Sequence, residues 1–374
     1  MKKSILFLLC SILFCACNIN TSNEFDYYVN ESINVKDFRW KDDVLICIID
    51  DTDGMIIFNN DKVFTFSNIN EKQIVNFEKI KIMLIPEKPF LIITYDDAPA
   101  CDYDVYQIHK LYEPIVPAEI GIIMSGVGIS NEKLIEMCTV GGWEPVSHSY
   151  SHTRFERLRL QRKYKKGDNK IYGWFVHTFM DGNEINIGDE NYTIISHSSD
   201  SEGNFFVVKP NLIKDYDASS FVQISENQLN LEMTKNLEKF YNETNLKIKH
   251  FTWPYTVSDS RTQAIVSKFF YSSRAYNGKN SDDTNNLVNG GLNYYPFENL
   301  YTLNSANYVQ YYSNDEILTM IAKAKSSNAL MIQFAHTWDA NFSTSKLVFL
   351  IDNALKAGVQ IVTRSDIFDY YELW

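Results

Sequence analysis

From Pro89 onward, short runs of β-branched and aromatic residues alternate with longer stretches of helical period, and this rhythm restricts the fold class more than any other feature. "FLIITYDD" reads as a buried strand and "YDVYQIHKLYEPI" as a helix that Pro114 ends. "AEIGIIMSG" is a second strand, "SNEKLIEMCTVGG" a helix capped by Ser130, and "WEPVSHS" a third strand. The rhythm returns near Glu226 with helix "NLEMTKNLEKFYNET", strand "IKHFTWPY" and helix "TQAIVSKFF". It continues through "NDEILTMIAKAKSS", "ALMIQFAHT", "KLVFLIDNALKAG" and "VQIVTRSD". Strands separated by helices need crossover connections, so the class is α/β with a parallel sheet.

Two regions depart from this pattern. Between about residues 157 and 225, "KIYGWFVHTFMDGNEINIGDENYTII" carries β-branched and aromatic residues with turns at Asp181-Gly182 and Gly188-Asp189, which reads as a β-rich insertion. Residues 33–88 read as an N-terminal β-rich domain. Within it, "VLICIIDDTDGMIIFNNDKVFTF" has the pattern of a hairpin with turns at Asp53-Gly54 and Asn59-Asn60-Asp61. The aspartates of that segment lack the spacing and distal glutamate of a calcium loop, so they are assigned to turns. The α/β domain spans residues 89–374.

In parallel α/β folds, reactive groups collect at the carboxyl ends of strands. The first strand here ends on Asp96-Asp97, two adjacent carboxylates that a buried strand does not carry without a partner. The third leads into "SHSYSH", with His148 and His152 four residues apart. On one helical turn that spacing puts both imidazoles on one side, where they can meet one ion with a carboxylate as third ligand. "IKHFTWPY" ends at Trp253-Pro254-Tyr255, and "ALMIQFAH" at His336.

Taken together, "ITYDDA", "SHSYSH", "FTWPY" and "QFAH" resemble the ordered motifs of the polysaccharide deacetylase family (NodB homology domain, carbohydrate esterase family 4). The resemblance covers roughly residues 89–371 without the insertion. It implies a distorted (β/α) barrel of seven or eight strands. It also implies Asp96 as catalytic base, Asp97, His148 and His152 as metal ligands, His336 as general acid, and the backbone N–H of Tyr255 as an oxyanion donor. The cofactor implied is a divalent ion, zinc first, with cobalt or nickel as alternatives. On this reading the ion neutralises Asp97, while Asp96 stays exposed to the attacking water.

Two positions depart from the family's pattern. Ala98 stands where the first motif has Gly, and Thr252 where the third has an Arg that pairs with the base. Arg274 is a candidate replacement, a sheet-end arginine being the plainer account. Trp253 and Trp338 flank the site and are assigned either to sugar stacking or to the core. His109, His177, His197 and His250 are read as packed or surface residues.

The implied activity is removal of acetyl groups, N-acetyl first, from an envelope or extracellular polysaccharide. The alternatives are O-acetyl esterase chemistry at the same site and a silent glycan-binding lipoprotein. A net charge of −12 without a Lys/Arg-rich run argues against nucleic acid as a partner. "MKKSILFLLCSILFCACNIN" is a targeting segment: Lys2 and Lys3, then the apolar run Ile5 to Phe14, then "FCAC". It resembles a lipoprotein signal of residues 1–16, with Cys17 lipidated and residues 17–32 a polar tether to the membrane. An ordinary secretory signal is the alternative. Export permits a disulfide, and Cys101–Cys138 is the candidate pair.

Overall fold

A computed structural model describes residues 27–29, 35–50, 53–58, 63–77, 80–276 and 290–374. The targeting segment and Cys17 lie outside the described residues. Among the described residues no helix is long and apolar enough to cross a membrane. The chain divides into two compact units, Met1–Pro86 and Glu87–Trp374.

The smaller unit contains strands and no helix among its described residues. Val44–Ile49 is the centre of one sheet, antiparallel to Val35–Lys41 and parallel to Ile80–Pro86, which in turn pairs with Gln73–Phe77. Gly54–Phe58 belongs to a second sheet, between Tyr27–Val29 and Val63–Phe66. The expected hairpin therefore forms only in its second half. The strands on either side of Asp53-Gly54 lie in different sheets, and the second turn, at 59–61, falls outside the described residues. Tyr27–Val29 is also a strand, where a polar tether was expected.

The larger unit is built on parallel strands in chain order: β1 (Phe90–Tyr95), β2 (Glu119–Ile122), β3 (Glu144–Ser147), β4 (His250–Thr252), β5 (Ser272–Tyr276), β6 (Leu303–Ser305) and β7 (Leu330–Ala335). β7 pairs with β1 along its length, from Leu330↔Phe90 to Ala335↔Tyr95. Ala306, just past β6, bridges Gln333 of β7, with the Ala306 N–H donating to Ile332 O at 3.0 Å and the Phe334 N–H to Ala306 O at 3.0 Å. That bridge all but closes the sheet into the expected (β/α) barrel. A short strand, β8 (Gln360–Ile361), joins the lower half of β1. β1 and β7 are buried along their whole length, as parallel strands covered on both faces are.

Helices cover the outside: α1 (Asp102–His109), α2 (Asn131–Thr139), α3 (Glu226–Thr244), α4 (Ser260–Val266), α5 (Asn314–Ser326), α6 (Thr344–Ala357) and α7 (Arg364–Tyr371). In α1, Asp102, Val105, Tyr106 and His109 are buried, the i, i+3, i+4, i+7 stripe of a helix laid on a sheet. Tyr95 stacks on Trp143 at 5.2 Å, and His109 Nε2 accepts from the Tyr95 hydroxyl at 2.8 Å. Ser130 caps α2 as expected. Between β3 and α3, strands from Leu158–Arg159 to Phe221–Ile224 form a six-stranded antiparallel sheet, the β-rich insertion.

The barrel interior holds two buried ion pairs. Glu119 Oε1 accepts from Arg364 Nε at 2.8 Å and from the Arg364 N–H at 3.0 Å, while Thr94 Oγ1 donates to Glu119 Oε2 at 3.0 Å. Asp96 and Arg274 form the second pair.

Candidate metal centre

Asp97, His148 and His152 come together as the spacing suggested, but by a different local structure. The chain from His148 to His152 is a loop and not a helical turn. Ser149 (φ +65°) and His152 (φ +58°) both take left-handed backbone conformations, which fold the second imidazole back onto the first. His148 Nε2 and His152 Nε2 lie 3.1 Å apart. Asp97 Oδ1 is 3.5 Å from the former and 3.7 Å from the latter. For a tetrahedral ion with ligand bonds near 2.05 Å, neighbouring donor atoms sit about 3.3 Å apart. The three donors thus match the spacing that a small divalent ion requires.

Their lone pairs are also arranged for it. The Thr252 carbonyl accepts the N–H at His148 Nδ1 (2.9 Å), which leaves Nε2 bare and pointing into the site. Burial, and then the neighbouring His148, push the His152 pKa down to about 4, so this ring is neutral near pH 7, as a ligand must be. Asp97 has a divided role. Trp338 Nε1–H donates to Oδ2 at 2.9 Å, while Oδ1, which faces both histidines, is buried with no hydrogen-bond partner among the described residues. A buried carboxylate oxygen without a partner is costly, and a cation at this point removes the cost.

Asp96 corrects the expectation of a water-exposed base. It is 1% exposed, and Arg274 Nη2 donates to both of its oxygens at 2.6 Å. Arg274 is itself fully buried, lies over the Phe334 ring at 4.6 Å, and donates from Nη1 to Ser305 Oγ at 3.2 Å. Burial pulls the Asp96 pKa upward, but Arg274, His148 and His336 outweigh it and hold the carboxyl at about 2. A Cβ at Gly121 would stand 3.2 Å from Asp96 Oδ1, a tight contact that would press on that carboxylate.

Arg274 therefore supplies Asp96 with the cation that Thr252, being uncharged, does not. Thr252 and Arg274 are register partners on adjacent strands. The Thr252 hydroxyl instead accepts from Arg364 Nη2 at 3.4 Å.

His336 Nε2 lies 3.8 Å from Asp97 Oδ2, and its ring is 5.2 Å from that of Trp338. The loop that carries both is tied to α1: Thr337 Oγ1 donates to Asp102 Oδ1 at 2.6 Å and meets Cys101 Sγ at 3.0 Å. Cys101 and Cys138, the candidate disulfide pair, are both free. Tyr255, in a left-handed conformation (φ +55°), packs its ring 4.7 Å from that of His152.

Of the flanking tryptophans, Trp253 is core, its Nε1–H donating to Tyr301 O at 2.9 Å, and Trp338 is 58% exposed. The remaining histidines stay apart from the three donors. His109 and His250 are buried and hydrogen-bonded in the core, His197 pairs with Asp181, and His177 is exposed. Reading the sequence missed the Trp338 N–H on Asp97. It also missed Glu232 and Asn236 of α3, two polar residues on that helix's buried stripe.

No protein-family profile matches the chain, and no curated protein matches it. Solved structures that it resembles include CE4 proteins. One is the CE4 domain of a multidomain xylanase from the hindgut metagenome of Trinervitermes trinervoides (15% identity, 75% of this chain and 90% of that one, TM-score 0.40). Another is a family 4 acetyl xylan esterase from Clostridium thermocellum in complex with a cobalt ion (11% identity, 75% and 90%, TM-score 0.40). A third is a CE4 family pseudoenzyme from Bacillus anthracis (11% identity, 77% and 68%, TM-score 0.42).

Proposed function

We propose that this chain is a metal-dependent hydrolase that removes acetyl groups, N-acetyl first, from an envelope or extracellular polysaccharide. The observation that supports the reading is the convergence of Asp97 Oδ1, His148 Nε2 and His152 Nε2 at ion-binding separation, with Asp96 and His336 close by. A divalent ion held by Asp97, His148 and His152, zinc first, would supply Lewis acidity for an acyl carbonyl and acidify a water.

The chain's own groups do the rest. Asp96, kept ionised by Arg274, is the acceptor for the water's proton. A carboxyl this acidic is a weak base by itself, so its work depends on that acidification. The Tyr255 backbone N–H offers a donor to the oxyanion as the carbonyl carbon becomes tetrahedral. His336 hands a proton to the departing sugar nitrogen or oxygen. An exported, lipid-anchored location on Cys17 belongs to the same proposal.

The test is acetate release from N-acetyl chitooligosaccharides, acetylated xylan and peptidoglycan fragments, with Co²⁺ or Zn²⁺ and with chelator. Expected is release that chelator abolishes and that Asp96→Asn loses while still binding the ion. An ion-loaded protein that releases acetate from none of these would refute the hydrolase. Release from ester substrates alone would select the O-acetyl reading.

A further inference from the structure

We infer that Glu232 and Asn236 of α3 are positioning residues that set the affinity of the His148–His152 loop for its ion; the inference rests on the metal reading above. The loop folds at a cost. Ser149 and His152 are left-handed without being glycine, a conformation that side chains disfavour, and inside the loop the His152 N–H on Ser149 Oγ at 2.9 Å offsets only part of that cost.

Most of the side-chain support comes from α3. Glu232 is 2% exposed, and its two oxygens grip the middle of the loop: Oε2 accepts from the Ser151 N–H at 2.8 Å and Oε1 from Ser151 Oγ at 2.8 Å. One turn on, Asn236 is fully buried, and its Nδ2 donates both to Ser149 O at 2.6 Å and to Ile122 O at 2.9 Å. The latter carbonyl is the end of β2 and also accepts the His148 N–H at 3.0 Å. A single helix face therefore holds Ser149, Ser151 and the strand end beside His148. Below the loop, Ser151 Oγ meets Thr153 Oγ1 at 2.9 Å, and Thr153 donates to Asn183 of the insertion at 3.0 Å.

These contacts lie outside the donor triad and touch no ligand atom. Without them the loop keeps only the His152 N–H on Ser149 Oγ, the Ser125 N–H on Tyr150 O and the strand-end bonds of His148, so its two left-handed residues are held less firmly and more of their ordering falls to the ion. Holding them in advance moves the ordering cost from binding into folding, so ion affinity is the property that α3 controls. Loss of outer contacts to metal ligands typically weakens binding roughly 10–100-fold.

The experiment titrates Co²⁺ into the full chain, following its visible absorption, and melts each chelated variant in parallel. Glu232→Ala and Asn236→Ala are expected to weaken Co²⁺ binding by roughly tenfold or more. Glu232→Gln is expected to restore it to within a few-fold. Its amide oxygen keeps the Ser151 N–H, and its NH₂ donates to Ser151 Oγ, which can turn its own proton to Thr153. Should the alanine variants not fold, Ser151→Ala removes only the hydroxyl's contacts to Glu232 Oε1 and Thr153 Oγ1, keeps the Ser151 N–H on Glu232 Oε2, and is expected to weaken Co²⁺ several-fold. Wild-type affinity in Ser151→Ala, or in folded Glu232→Ala and Asn236→Ala, overturns the inference. Lower melting temperatures with unchanged affinity do the same, because they assign α3 a stabilising role alone. A wild-type chain that binds no Co²⁺ defeats the metal reading itself, and this inference with it.

Discussion

Replacing Arg274 by methionine keeps most of its volume and removes its charge, so it isolates what the guanidinium does for Asp96. Both groups are inside the barrel, with contacts of 2.6 Å, and solvent does not screen them. The Asp96 pKa falls from 3.8 to about 2 on folding. At 1.36 kcal/mol per unit, this contributes on the order of 2 kcal/mol to stability. A depressed carboxyl favours folding above its unfolded pKa, so the contribution is present above about pH 4 and is lost as pH falls toward 2. In Arg274→Met the desolvation of Asp96 remains and its main compensation is gone. The carboxyl then either stays charged and unpaired or takes up a proton near neutrality. Breaking one side of a buried pair costs about 3–5 kcal/mol.

The assay is urea denaturation at pH 7 followed by tryptophan fluorescence; of the six tryptophans, only Trp40 lies in the smaller unit. Arg274→Met should lose about 3–5 kcal/mol, and Asp96→Asn with Arg274→Met should recover at least half of that. A loss below about 1 kcal/mol, or single substitutions whose effects simply add, would show that the two groups are not a pair in solution.

Trp338→Phe removes the N–H that binds Asp97 Oδ2 and leaves a ring of similar shape. Co²⁺ affinity is expected to drop roughly tenfold. Because Trp338 is largely exposed, the melting temperature should stay within the range of a surface substitution; equal affinity in calorimetric titration would remove Trp338 from the centre. His109 tests the core in another way. Burial depresses its pKa from 6.5 to about 4, so the unfolded chain takes up a proton that the folded one refuses. Stability tied to His109 is therefore complete above pH 6.5 and is lost, on the order of 3 kcal/mol, as pH falls toward 4. His109→Gln should flatten the acid side of the stability profile by that amount, and an unchanged slope in denaturation at pH 4 to 7 contradicts the assignment.

The strand-end residues were legible because parallel architecture fixes where strands deliver their side chains. Asp96, Asp97, His148 and His336 could be placed by order alone. β5 and β6 were harder to read because "SSRAY" and "LNS" are short and polar. They are polar because Arg274 and Ser305 serve Asp96 from inside the barrel. The hairpin at Asp53-Gly54 failed for a different reason: alternation identifies strands but not their partners. The i, i+4 histidines suggested a helical turn, and the same convergence came from two left-handed residues, whose support on α3 lies more than eighty residues away in sequence.

Closure of the sheet has a consequence for finding sites of this kind in other sequences. Side chains from neighbouring strands at one height share a single enclosed space, so a positive charge can pass from β4 to its register partner on β5 with little change of place. A scan that demands arginine before Trp253-Pro254-Tyr255 would discard this chain. One that asks for an arginine anywhere in that ring around the first aspartate would keep it.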